Sequence, residues 1–144
     1  MMKNTILRLV FVGVALSGIA SSCKRKEVVE TQYTRLLHTW KLVRIATDDN
    51  GNGGIDGYEI HPVQEGLVTL IAFSKDNSGN ETVIAGVDTL NYPFTWSRGG
   101  GDTLIRNGVG NNIIRYNLED ITSINMRLAT FGTMGKAAYY YDRQ

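Results

Sequence analysis

From Thr39 onward the chain is cut into short pieces by clusters of glycine, asparagine and aspartate, at 48–54, 75–79, 99–101 and 107–112. Gly and Asn adopt the positive φ that tight turns require, so such clusters end regular elements. The pieces between them have strand length, and no long helix fits. Thr39–Thr47, Gly66–Ser74, Glu81–Val87, Asn91–Ser97, Asp102–Arg106, Asn112–Leu118, Ser123–Thr130 and Ala137–Asp142 read as strands. The alternation is cleanest at 91–97, where Tyr92, Phe94 and Trp96 share one face. Pro93, on the other face, cannot donate to a ladder and needs an edge or a bulge. In Ser123–Thr130 the apolar face is Ile124, Met126 and Leu128. Before the strands, Val29, Tyr33, Leu36 and Leu37 have the spacing of one short amphipathic helix within 28–37. About eight short strands in sequence predict an all-β antiparallel meander, closed as a barrel or packed as a sandwich.

The N-terminus reads as an export signal. Lys3 and Arg8 charge its start, 9–19 is apolar, and Ala20, Ser21 and Ser22 are small. An apolar run of about 11 residues is too short to span a bilayer core, which takes about 20. Cys23, the one cysteine, follows directly. That arrangement resembles the lipobox of bacterial lipoproteins, which implies acylation of Cys23. Ordinary cleavage after the small residues is the alternative. The expected organisation is a leader at 1–22, a lipidated tether at 23–30 and one domain at 31–144. Localisation follows: the bacterial cell envelope, lipid-anchored, with the outer membrane facing the periplasm favoured because no acidic run follows Cys23. Removing Lys3 and Arg8 with the leader leaves 13 basic against 14 acidic residues, a net −1. Nucleic acid, which calls for a clustered basic face, is not an expected partner. A monomer is expected.

One loop carries a chemical pattern. Asp48–Glu59, DDNGNGGIDGYE, fills every slot of D-x-[DN]-x-[DN]-G-x5-E. Its oxygen donors are Asp48, Asn50, Asn52, the carbonyl of Gly54, Asp56 and Glu59, with Gly53 at the turn and Ile55 at the apolar position. The loop resembles calcium loops of the EF-hand type grafted between non-helical elements, since Pro62 obstructs an exiting helix. The expectation is a structural Ca²⁺ of weak affinity, roughly 10⁻⁴ to 10⁻³ M. A plain Gly/Asn-rich turn is the alternative.

A second resemblance covers most of the remaining chain. His-Thr-Trp-Lys-Leu-Val at 38–43, Thr-Leu-Ile-Ala-Phe-Ser-Lys-Asp-Asn-Ser-Gly at 69–79, Pro-Phe-Thr-Trp-Ser at 93–97 and Tyr-Asn-Leu-Glu-Asp-Ile-Thr-Ser-Ile-Asn-Met-Arg-Leu at 116–128 are similar to the lipocalin-like lipoprotein domains of Bacteroidota. The resemblance implies an eight-stranded barrel in which Trp40 closes one end and Arg143 stacks across it. His38 stands where lipocalins carry glycine. A barrel of eight strands is either filled by its side chains or holds one small ligand. Tyr92, Phe94, Trp96, Tyr116, Tyr139 and Tyr141 are the candidate lining for a small apolar ligand. A solid-core structural or protein-interaction lipoprotein is the alternative. An enzyme is not expected. His38 and His61 have no metal-pair spacing, no serine lies in a Gly-x-Ser-x-Gly elbow, and adjacent Glu119 and Asp120 would face opposite ways on a strand.

Overall fold

The structure, a computed structural model, describes residues 30–132 and 135–144. Cys23 and the leader 1–22 lie outside the described residues. Helix α1 (Gln32–Leu36) is followed by strands β1 (Thr39–Thr47), β2 (Ile60–Pro62), β3 (Leu67–Phe73), β4 (Ser78–Ala85), β5 (Asp88–Arg98), β6 (Thr103–Gly108), β7 (Ile113–Ile121), β8 (Asn125–Gly132) and β9 (Gly135–Arg143). The all-β, lipocalin-like barrel is present. β3 to β9 form an antiparallel meander, and β9 pairs back onto β1 from Trp40↔Arg143 to Thr47↔Ala137. Eight strands thereby close, with no free edge around the ring. The ninth, β2, was not expected from the sequence. It continues the edge of β1 that β3 leaves: β3 pairs with Thr39 to Lys41, and β2 pairs with Arg44 to Ala46.

The helix is shorter than the periodicity implied. Thr31 caps it, its Oγ1 accepting the Thr34 N–H at 3.2 Å, and only Leu36 of the helix is buried. Five residues cannot hold a helix alone; burial of Leu36 and contacts from its neighbours hold this one. The indole N–H of Trp40 donates to the Leu36 carbonyl at 3.2 Å, and the Arg35 guanidinium donates to the Ile121 carbonyl at 3.1 Å. Tyr33 packs on Trp96 with ring centroids 6.0 Å apart. The helix is therefore a plug across one end of the barrel.

Behind the plug the interior is filled. Trp40, Leu42, Ile71, Phe73, Phe94, Trp96, Leu104, Leu118, Ile121, Met126, Leu128 and Tyr141 are all buried. Phe73 meets Phe94 and Trp96 edge to face at 5.6 Å each, the geometry that ring quadrupoles favour. Trp96 places its N–H on the Ser74 and Ser78 carbonyls at the β3–β4 turn. Strand β4 starts at Ser78, earlier than the sequence implied, because Gly79 lies directly opposite Phe94. In the β7–β8 region Met126 and Leu128 do face the core. Ile124 does not: it belongs to the turn before β8 and is 65% exposed, a correction to the expected apolar face. The Thr122 hydroxyl accepts the Ile124 and Asn125 N–H groups there, so the turn holds these residues out of the strand.

Two bulges, between Leu42 and Arg44 and between Leu118 and Asp120, shift the side-chain parity. As a result Ala46, Ala129 and Ala138 line up on the outer wall, yet all three are buried. Long side chains roof them. Arg44 and Arg127 each lie 5.1 Å from the Tyr140 ring, and Glu119 pairs with Arg127 at 2.7 Å and with Lys136.

The filled end has no slack at Gly79. A Cβ there would fall 2.2 Å from the Phe94 ring and 2.7 Å from the Ala72 carbonyl. Gly79→Ala is expected to cost about 1–3 kcal/mol, the usual penalty of overpacking, measured by denaturant unfolding. An unchanged midpoint would show that the Phe94 ring is not held against this strand.

Candidate functional site

The barrel has a second end, and it is built differently. Strand β5 runs from Asp88 to Arg98, but β6 pairs only with Phe94 to Arg98. The hairpin of β4 and β5 therefore overshoots its neighbour on one side. Pro93 falls where β6 has ended, so its missing N–H costs no ladder bond on that side. A cavity of about 290 Å³ occupies the space between this overshooting hairpin and the β6–β7 connection. Val83, Tyr92, Pro93, Val109 and Ile114 give it apolar walls, and Glu81 and Arg106 give it a charged floor.

Alternation explains why that floor is charged. Arg106 lies opposite Trp96 and two residues after buried Leu104, and Glu81 lies opposite both Ile71 and Tyr92. Both side chains therefore point inward. Their charged ends meet at 2.5 Å, and the guanidinium of Arg106 lies 4.5 Å from the Phe94 ring centroid. Burial alone would lower the Arg106 pKa; the hydrogen bond and charge of Glu81, aided by Tyr116, more than offset that and raise it. Glu81 thus holds the Arg106 guanidinium in place on the floor.

Tyrosines surround the pair. Burial pushes the Tyr116 phenol up, with Arg106 opposing, and burial pushes Tyr141 up strongly. Tyr116 and Tyr139 meet edge to face at 6.2 Å. The six aromatics expected to line one cavity are thus divided. Tyr92 lines the mouth, Phe94 and Trp96 belong to the filled end, and Tyr116 and Tyr141 stand near the ion pair, with Tyr139 packed on Tyr116. Glu81 and Arg106 were missed by the sequence reading. Their signal was a charged residue at the inward phase of a strand, Arg106 two places after Leu104; 102–106 read as a strand, but its two faces were not assigned.

The Asp48–Glu59 loop lies at the same end of the barrel. It leaves strand β1, wraps through Asn50 to Asp56 and enters β2 through one 3-10 turn at Gly57–Glu59, with no exiting helix. All six donor residues are drawn into one closed loop. Asp48 accepts the N–H groups of Asn52 and Gly53 at 3.0 and 2.8 Å, and Asn50 and Asn52 each accept the N–H two residues on. Glu59 is fully buried and accepts from Asp49, Asn50 and Asp56. The amide groups of Asn50 and Asn52 donate to Asp56 at 2.9 and 3.0 Å. The residue types and wrapping fit a calcium loop, but the oxygens face N–H donors. Among the described residues no three acidic, histidine or cysteine side chains converge as a ligand set. A broader depression of about 580 Å³ lies outside the barrel, between this loop and the β8–β9 hairpin.

At the plugged end Arg143 sits beside Trp40 in register, but its guanidinium donates to the Ser123 carbonyl at 3.1 Å and approaches Glu30 at 3.8 Å. The ring nearest Trp40's edge is His38, with centroids 6.5 Å apart. No helix among the described residues is long and apolar enough to cross a membrane. No family model matches this chain, and neither does any curated protein.

The raised tyrosine pKa values give a pH dependence. Below about pH 10, the ordinary tyrosine value, folded and unfolded chains both keep these protons. Above it the unfolded chain releases protons that Tyr116 and Tyr141 retain in the fold. Stability is therefore full below pH 10 and falls as pH rises, by about 1.4 kcal/mol per pH unit for each such group. Tyr141→Phe is expected to flatten the alkaline limb of a pH–stability curve by one proton. An unaltered slope in that variant would contradict burial of the Tyr141 phenol.

Proposed function

We propose that this protein is a membrane-tethered binding module whose barrel mouth takes a small, mainly apolar molecule. One observation carries the reading: the barrel is plugged and filled at one end, while its other end opens into a cavity between overshooting strands. At about 290 Å³ the cavity sits at the lower limit for small-molecule sites. The rim supports the same reading, because Val87, Leu90, Tyr92 and Val109 leave apolar surface exposed around the mouth. The neutral fluorophore N-phenyl-1-naphthylamine should bind saturably at one site per chain. Val83→Trp should abolish that binding while the far-ultraviolet circular dichroism stays unchanged. Unsaturable binding, or none, would favour the solid-core interaction protein.

The anchor in this reading is a lipid on Cys23, supported by the small residues that precede it. Glu30, the first of the described residues, meets Arg143 at the plugged end, and the mouth lies at the other end of the barrel. The site would lie in the envelope compartment. Cys23→Ala should move the protein from the membrane fraction to the soluble one; retention would count against acylation as the anchor.

The reading assigns the Asp48–Glu59 loop a weak structural Ca²⁺. Binding must take Asp56 from the asparagine amides and Glu59 from backbone amides, which keeps affinity in the 10⁻⁴ to 10⁻³ M range of extracellular modules, as a rough figure. Glu59→Gln destabilises the loop with or without metal, because the carboxylate already accepts three N–H groups. The decisive quantity is thus the difference in Tm between excess calcium and chelator. The wild type should show a rise worth about 2.7 kcal/mol at 100 times Kd, and the variant should lose it. No rise in the wild type would leave a self-closed turn.

A further inference from the structure

We propose that the mouth cavity selects a neutral head group that both donates and accepts hydrogen bonds, a hydroxyl or carboxamide on a short apolar chain, and discriminates against a carboxylate. The inference rests on the binding-module reading and specifies its ligand class. Glu81 and Arg106 are the two charged side chains that line the cavity, and they are bonded to each other. Arg106 therefore brings no net charge to the site. Its face is already covered by Phe94, and Glu81 holds one of its guanidinium nitrogens.

A carboxylate entering this cavity gives up its water and gains little, since the attraction of Arg106 is offset by the repulsion of Glu81. Two carboxylates, its own and that of Glu81, offer each other no hydrogen-bond donor. A hydroxyl is complementary to both partners lining the cavity: it donates to Glu81 and accepts from a guanidinium N–H of Arg106. A carboxamide does the same with separate atoms. The walls fix the rest of the molecule. Val83, Tyr92, Val109 and Ile114 enclose an apolar chain, and Leu90, on the same face as Tyr92, continues the apolar path outward. The volume equals that of about ten waters in the liquid, so the ligand portion held inside has roughly ten non-hydrogen atoms. An eight-carbon chain with one polar group fits.

The test is calorimetric titration of the full chain at pH 7.5 with octan-1-ol, octanamide, octanoate and octylammonium. The alcohol and the amide are expected to bind, and octanoate and octylammonium at least tenfold more weakly. Glu81→Gln removes the compensating charge and should raise octanoate binding at least tenfold relative to that of octan-1-ol. Arg106→Gln should do the same for octylammonium. Octanoate binding the wild type as tightly as the alcohol would overturn the inference and leave the binding module standing. Binding of none of the four would overturn both. Should either variant fail to fold, the wild-type comparison decides alone.

Discussion

The pairing of β1 with β9 is the interaction on which the rest of the structure depends. It turns a meander of eight strands into a ring, and only a ring has an inside. Once it forms, every inward residue is committed to a shared interior, and the strand lengths decide how that interior ends. Trp40 begins the ladder and docks its indole on the carbonyl of Leu36, so closure and plugging are one event at that end. At the other end β5 outruns β6, and the ring opens where the ladder stops.

The two halves of the interior follow from this asymmetry. Near the plug the aromatic and aliphatic side chains fill the volume to the point that Gly79 has no room for a methyl group. Towards the mouth the same inward phase brings in Glu81, Arg106 and three tyrosines. A half-buried ion pair of this kind contributes little net stability, since desolvation of the charges offsets much of their attraction. Its consequence is chemical: it places a donor and an acceptor, with no net charge, at the floor of an apolar cavity. The outer wall has its own small packed region, where alanines lie beneath Tyr140 and its flanking arginines.

Much of the fold was legible because strand alternation and turn chemistry are local. Tyr92, Phe94 and Trp96 announce one inward face, and the glycine and asparagine clusters mark the turns that separate the strands. What was not legible is long-range. The three residues of β2 contain Pro62 and carry no alternation of their own; they are a strand only because β1 offers an unpaired edge. The bulges in β1 and β7 depend on ladder partners about a hundred and about ten residues away, so the outward turn of Ala46 could not be read from its neighbours. Arg106 and Glu81 each look like an ordinary surface charge within its own segment. Only the ring sets them against one another, and that is why the aromatic set expected to form one site is divided between core, floor and mouth.

The central claim is that the interior is filled at one end and accessible at the other. It is tested most directly by isotope-edited NMR of the methyl and aromatic groups during titration with octan-1-ol. The account predicts saturable shifts at Val83, Tyr92 and Ile114, with Met126, Leu128 and Trp40 unmoved. Shifts scattered over the outer wall, or none at the mouth, would contradict it.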